Sequence, residues 1–87
     1  MSTYNLTIAT PDGNQFREKA VALYLRGAEG DLAILAGHTP FITSVKPGKC
    51  RVELPEGEER VATLDGGLLT VGADAVTLLS GSFKWEE

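Results

Sequence analysis

Turn-forming residues interrupt this chain about every ten residues, and the segments between them alternate apolar with polar side chains. The clearest turns are Pro11-Asp12-Gly13, Asp65-Gly66-Gly67 and Gly72-Ala73-Asp74, while Lys46-Pro47-Gly48-Lys49 indicates a tight turn with proline at its second position. No stretch sustains a helical period. This spacing is typical of an antiparallel β-sandwich or barrel, so we predict an all-β fold.

The period-two segments predict strands over residues 4–9, 21–26, 31–35, 41–45, 50–54, 61–64, 68–71 and 76–79. The nearest helical candidate runs from Glu18 to Tyr24, but its alternation and missing caps favour a strand. A helix from Glu18 to Arg26 would contradict the predicted fold. The tail from Ser80 to Glu87 loses the alternation and is predicted to be a linker. Trp85 in that tail either folds back over the sandwich or begins a further structure.

The length and the net charge of the chain limit the classes of partner that it can bind. A chain of 87 residues has room for one domain. Its formal net charge is −4, whereas proteins that bind phosphate backbones or anionic membranes need a surplus of positive charge. No apolar run approaches the ~18 residues of a membrane span, and residues 1–5 have no basic or apolar leader pattern. We therefore expect protein partners, no nucleic acid and no direct membrane insertion.

The sequence contains few residues that could perform chemistry. Both glycine-rich phosphate-binding patterns are absent, and Gly27-x-x-Gly30 carries carboxylates where phosphates would bind. A metal site needs several ligands, whereas the chain has one histidine, His38, and one cysteine, Cys50. Cys50 alternates with Val52 and is expected to be a small buried residue. We therefore predict no catalytic residue, no metal site, no nucleotide site and no cofactor.

One stretch carries a recognisable signature: Leu23-x-Leu25-x-Gly27-x-Glu29-Gly30-Asp31-Leu32-x-Ile34-Leu35-x-Gly37-His38-x-Pro40. It resembles the pattern of the epsilon subunit of F-type ATP synthase, which is called delta in mitochondria. Three further elements are similar to the same family and occur in its order: Thr10-Pro11-Asp12-Gly13, Lys46-Pro47-Gly48 and Asp65-Gly66-Gly67-Leu68-Leu69-x-Val71.

The resemblance implies a flattened antiparallel β-sandwich of about ten short strands, here lacking the family's C-terminal helical hairpin. It also implies a non-catalytic rotor subunit of the central stalk of a proton-translocating ATP synthase. Such a subunit docks the gamma subunit onto the membrane c-ring and couples ion flow to ATP synthesis. The expected location is the cytoplasmic face of the bacterial plasma membrane, as a peripheral part of the complex.

Family contacts carried onto matching positions give two predicted surfaces. The predicted c-ring contacts are Glu29, Gly30, Asp31 and His38. The predicted gamma-subunit contacts are Thr10, His38 and Thr43. Because the nucleotide site of some relatives belongs to their helical hairpin, the resemblance implies no ATP site in this chain.

The predicted domain covers residues 1–82, and residues 83–87 are predicted to be a tail or the start of an absent helical domain. Two alternatives to the rotor subunit stay open. The first is a free-standing β-sandwich that binds another protein or a small ligand and is unrelated to ATP synthase. The second is a small enzyme built around His38, which lacks evident catalytic partners.

Overall fold

The computed structural model describes residues 2–86, so Met1 and Glu87, the ends of the predicted domain and tail, lie outside the described residues. The ten strands are β1 (Tyr4–Thr10), β2 (Gly13–Ala20), β3 (Ala22–Gly27), β4 (Gly30–Leu35), β5 (Phe41–Val45), β6 (Gly48–Glu53), β7 (Glu59–Leu64), β8 (Gly67–Val71), β9 (Ala75–Leu79) and β10 (Phe83–Trp85). No helix occurs between residues 2 and 86. The predicted all-β fold is confirmed.

The strands form one hydrogen-bonded sheet that folds over itself. Its order is β10-β7-β6-β3-β5-β8-β9-β1-β2, with β4 paired to β3 outside this path. The fold line lies between β3 and β5, which share only the pair Gly27–Val45. We call β4, β3, β6, β7 and β10 sheet I, and β5, β8, β9, β1 and β2 sheet II. The two sheets face each other, since the Tyr4 hydroxyl of β1 donates to the Ile34 carbonyl of β4 at 2.8 Å.

Among residues 2–86, every strand pair is antiparallel except β1 with β9, which is parallel. The predicted antiparallel arrangement follows from hairpins, which reverse the chain between consecutive strands. β1 and β9 are not joined by a hairpin, so nothing in the local connection requires them to be antiparallel. Their pairing gives the first strand a neighbour on each side, with β2 at the edge of sheet II.

Residues Lys46 and Pro47 carry the chain from sheet II to sheet I. β5 and β6 both run antiparallel to β3, so the chain keeps its direction across this link. The Lys46 N–H donates to the Arg26 carbonyl at 2.9 Å, and Pro47 has no N–H to leave unpaired. The predicted tight turn at 46–49 is therefore wrong. The segment is a bend at which one strand switches sheets, as sandwich corners require.

Two strands were absent from the sequence prediction. β2 has a long polar run, in which only Phe16 and Ala20 are buried, so it lacks the period-two signal. The chain then bends at Val21 into β3, which separates the former helical candidate into two strands. The predicted linker contains β10, which pairs with β7, and Trp85 lies back against the sandwich. β10 is too short to show alternation, and its side chains are only partly buried.

Both sheets contribute to one apolar core. Its largest fully buried members alternate along their strands and come from either side: Leu6, Ile8, Leu23, Ile34, Leu69, Leu78, Val52 and Cys50. Burial raises the pKa of Cys50 to about 12, because a thiolate would lose its hydration there. The predicted role of Cys50 as a buried small residue is confirmed.

We expect Cys50 in the native protein to react with a disulfide-exchange reagent at pH 8 at least about a thousandfold more slowly than in the urea-unfolded chain. The raised pKa lowers the thiolate fraction by about that factor, and burial blocks access. Because the folded-state pKa lies above the ordinary value of 9.0, the contribution of the neutral thiol to stability is complete below about pH 9 and lost as the pH rises toward 12. Stopped-flow absorbance measures the reaction, and Cys50→Ala provides the baseline. Equal rates for native and unfolded protein would contradict the assigned burial.

Candidate docking surface

Three large apolar side chains project to solvent from the outer face of sheet II. Ile42 of β5 is 68% exposed, Leu68 of β8 is 43% exposed and Leu79 of β9 is 48% exposed. Leu68 and Leu79 are directly opposite cross-strand partners, and Ser44, two residues after Ile42, pairs with Leu68. The three therefore occupy adjacent strands on one face. We call Ile42, Leu68 and Leu79 the sheet II patch.

An open depression of about 480 Å³ extends this patch toward the end of β1. Its walls are almost entirely apolar, and its lining consists of Ala9, Thr10, Pro11, Gly67, Leu68, Leu79, Ser80 and Gly81. A pocket of this size next to exposed leucines can receive a large side chain from a docking partner.

Hydrogen bonds between the ends of β8 and β9 hold the depression in shape. The buried Ser80 Oγ lies 2.6 Å from the Gly66 carbonyl oxygen and 2.9 Å from that of Ser82. The Ser82 N–H donates to Asp65 Oδ1 at 3.1 Å. Gly67 permits the close approach of the strands, because a Cβ there would collide with the carbonyl oxygen of Leu79. Leu68 and Leu79 are thus presented by a rigid backbone.

The hairpin between β3 and β4 carries the first group of predicted c-ring contacts. Gly27 pairs with Gly30 across the turn that contains Glu29, and Gly30 adopts a φ of +131°, a conformation suited to glycine. Asp31 is exposed and lies 3.5 Å from the Arg26 side chain. Glu29, Gly30 and Asp31 therefore project together from one tip, whose acidic character is only partly offset by Arg26.

His38 does not lie at this tip. It belongs to the connection after β4, whereas Gly30 begins that strand, so the full length of β4 separates His38 from the Glu29 turn. Its Nδ1 lies 3.0 Å from the Thr39 carbonyl oxygen, and its ring centroid lies 5.2 Å from that of Phe41. The four predicted c-ring residues thus divide between opposite ends of β4.

The three predicted gamma contacts are also spread over sheet II. Thr10 lines the depression, and its hydroxyl oxygen accepts hydrogen bonds from the Asp12 N–H at 3.2 Å and from Gln15 Nε2 at 3.1 Å. His38 precedes β5 at the other end of the sheet. Thr43 is half-buried on the inward side of β5, opposite the side that carries Ile42. Of the three, only Thr10 borders the sheet II patch.

Sheet I has a larger open groove of about 700 Å³, where β3 and β6 diverge beyond the pair Tyr24–Arg51. The Arg51 guanidinium carbon lies 4.4 Å from the centroid of the Tyr24 ring. Arg51 also contacts Glu59 at 3.7 Å, and Arg26 contacts Asp31. The arginines of this groove are engaged with neighbouring side chains.

Among residues 2–86, no three His, Cys, Asp or Glu side chains lie close enough to hold a metal ion. The described chain also has no helix that is long and apolar enough to cross a membrane.

The fold and its patch define a β-sandwich with exposed apolar side chains on the outer face of sheet II. The chain matches the model of the ATP synthase delta/epsilon chain beta-sandwich domain over residues 3–86, and it belongs to this family. The alternative of a module unrelated to ATP synthase is therefore set aside. The family match includes β10.

Two solved structures have the same fold. One is a chain from the Euglena gracilis mitochondrial ATP synthase in a structure of OSCP, F1 and c-ring, with a TM-score of 0.91 and 24% identity over 98% of this chain. The other is from the Tetrahymena thermophila mitochondrial ATP synthase central stalk and c-ring, with a TM-score of 0.74 and 16% identity over 91% of this chain. This chain spans 54% of the first protein and 63% of the second.

The sheet II patch was missed in the sequence analysis, although a signal was present. In the doublets Leu68-Leu69 and Leu78-Leu79, alternation requires one leucine to face the core and the other to face out. Leu69 and Leu78 are fully buried, which leaves Leu68 and Leu79 outside. An apolar residue at a strand position that alternation assigns to the solvent-facing side is thus the signal that could have identified the patch.

Replacing Gly67 with Ala should lower the free energy of unfolding by about 2–4 kcal/mol, because the added methyl group meets backbone that cannot move away without breaking the β8–β9 pairing. Gly81→Ala is the matched control, since a Cβ there meets only the Asp65 carboxylate at 3.6 and 3.7 Å, which is ordinary contact. Its effect should stay within about 0.5 kcal/mol. Urea denaturation followed by circular dichroism measures both. Equal stability of the two variants would contradict the described approach of β8 to β9.

Proposed function

We propose that this chain is a non-catalytic rotor component of a proton-translocating F-type ATP synthase, which docks the gamma subunit onto the c-ring and so couples ion flow to ATP synthesis. Family membership supports the assignment to the complex. The observation that carries the docking role is the sheet II patch, which exposes three large apolar side chains on one rigid face. As part of such a complex, the domain would work at the membrane surface without entering the bilayer.

The sheet II patch is the surface we assign to the gamma subunit. Half-exposed leucine and isoleucine side chains each gain roughly 1 kcal/mol when a partner covers their remaining apolar surface. An apolar stripe on a helix of the partner would match this patch, with one side chain entering the depression beside Thr10. We place Thr10 and His38 in the gamma contact as flanking groups, because they lie at the two ends of sheet II. Thr43 is a weaker candidate, since its side chain faces inward.

The hairpin tip is the surface we assign to the c-ring. Glu29 and Asp31 present carboxylates that can meet basic side chains on the polar loops of the ring, which favours orientation more than affinity. Gly30 allows close backbone approach there. His38, which was predicted in both contacts, lies at the other end of β4, and this separation favours the gamma side.

The mechanism needs no bond chemistry from this chain. A closely packed core deforms little under load, so torque applied at one surface reaches the other without being absorbed by the domain. His38, the candidate base of the enzyme alternative, has its ring beside Phe41 and the Thr39 carbonyl oxygen. Neither group is a nucleophile that His38 could activate.

Leu79→Ser should weaken binding to the gamma subunit at least about tenfold while leaving thermal stability nearly unchanged, because the lost surface is buried only in the complex. Leu35→Ser is the matched control: Leu35 is 50% exposed, but it lies on β4 of sheet I. Isothermal titration calorimetry with the purified gamma subunit measures both. Equal losses in the two variants would argue against sheet II as the docking face, and no binding by the wild-type chain would remove the assignment to the rotor.

Asp31→Lys should weaken seating on the c-ring and lower proton-coupled ATP synthesis in reconstituted vesicles, since a cation replaces a carboxylate at the ring-facing tip. The loss of its exposed contact with Arg26 should cost little stability. Asp74→Lys makes the same charge change in the exposed turn between β8 and β9, away from the hairpin tip. Unchanged synthesis in Asp31→Lys, or an equal decrease in both variants, would count against this placement.

A further inference from the structure

The last strand, β10, is joined to sheet II by a side chain. β10 is three residues long and pairs with β7 through Phe83–Leu64, Lys84–Thr63 and Trp85–Ala62. Within the described residues 2–86, no strand pairs with its other edge, which is the end of the sheet order. Instead, the Trp85 indole N–H crosses to sheet II and donates to the Gln15 carbonyl of β2 at 3.3 Å. A side chain, rather than a ladder of backbone hydrogen bonds, thus spans the seam between β10 and β2.

Trp85 is held by contacts with three other side chains. Its ring lies edge-on to Phe83, with centroids 4.9 Å apart, and to Phe16 of β2, with centroids 5.8 Å apart. The guanidinium carbon of Arg60 on β7 lies 3.8 Å from the ring centroid, within cation–π range. These contacts join β10 to both neighbouring strands through one residue.

β10 is nevertheless peripheral to the core. Phe83 and Trp85 are only partly buried and pack against the core from outside, and no β10 residue is among the buried side chains. Beyond β10, the Glu86 N–H donates to the Val61 carbonyl at 2.8 Å, and its carboxylate contacts Thr63 and Lys49 at the surface. Just before β10, Ser82 is tied to Asp65 by hydrogen bonds in both directions. A displacement of the strand would therefore stop at Ser82.

We propose that residues 83–86 form a latch, which detaches from β7 and β2 as a unit while the rest of the sandwich stays folded. Trp85 is the residue that fastens it. Opening uncovers Phe16 and leaves the β7 edge from Val61 to Leu64 without a partner. The open state therefore exposes the backbone donors and acceptors of this β7 edge beside Phe16.

Native-state hydrogen exchange by NMR tests the latch on the intact chain. The Glu86 amide and the β10 amides bonded to β7 should exchange at least about tenfold faster than the amides that join β8 to β9, because local opening costs less than global unfolding. Exchange of both groups at one common rate, equal to that set by global unfolding, would overturn the proposal.

Variants identify the fastening residue. Trp85→Ala should speed β10 exchange a further tenfold or so while changing β8–β9 exchange less than about twofold, since it removes the indole hydrogen bond and the ring stacked by Arg60. Lys84→Gln, at an exposed position of the same strand, should change neither rate by more than about twofold. If Trp85→Ala speeds both groups equally or prevents folding, the strand is part of the cooperative core and no latch exists. The milder Arg60→Gln should increase opening and shift Trp85 fluorescence to the red below the main denaturation transition.

Discussion

The whole fold depends on one constraint. A single sheet of short strands can bury the apolar side chains of one face only by folding over itself. In each strand, the side chains on one face pack into the shared core, as those of Leu69 and Leu78 do. The side chains on the other face stay outside. The fold line is held by the pair Gly27–Val45 and by the passage of the chain through Pro47 into sheet I. Because the inward-facing side chains form the core, the outward-facing side chains are free to contact partners. The position of the exposed sheet II patch is therefore a direct consequence of how the core is built.

This division of each strand between core and surface underlies the role that we propose for the chain in a rotary complex. The hairpin tip with Glu29 and the patch with Leu79 are both held by backbone pairing rather than by mobile loops. Core packing fixes their relative position, since neither sheet can shift without disturbing side chains shared with the other. A rigid spacer with two distinct surfaces would meet the mechanical requirement of the docking role proposed above.

The alternating segments allowed most of the architecture to be predicted from sequence, because strands such as β1 and β9 show a clear apolar phase. β2 could not be found this way, since most of its side chains face solvent and only Phe16 and Ala20 mark its inner side. β10 is too short for any period to appear. The tight turn predicted at Pro47 is wrong for another reason. A turn-like sequence also suits a bend that leaves the chain direction unchanged, and the pairing of β5 and β6 with β3 decides between the two.

The predicted site residues show a second limit of sequence reasoning. A motif places Glu29 and His38 nine residues apart in the chain, but β4 puts them at opposite ends of a strand, which no motif spacing records. Conversely, Leu68 and Leu79 are distant in sequence and become neighbours only through the β8–β9 register. Surface assignment required pairing information, whereas fold class did not.

Hydroxyl-radical footprinting of the free chain and of the assembled ATP synthase, with mass spectrometry at single residues, tests the central claim most directly. We predict that Ile42, Leu68 and Leu79 are labelled in the free chain and protected in the complex, while Leu35 on sheet I keeps its labelling. Protection of Leu35 with continued labelling of Ile42, Leu68 and Leu79 would contradict the claim that the outer face of sheet II is the docking surface.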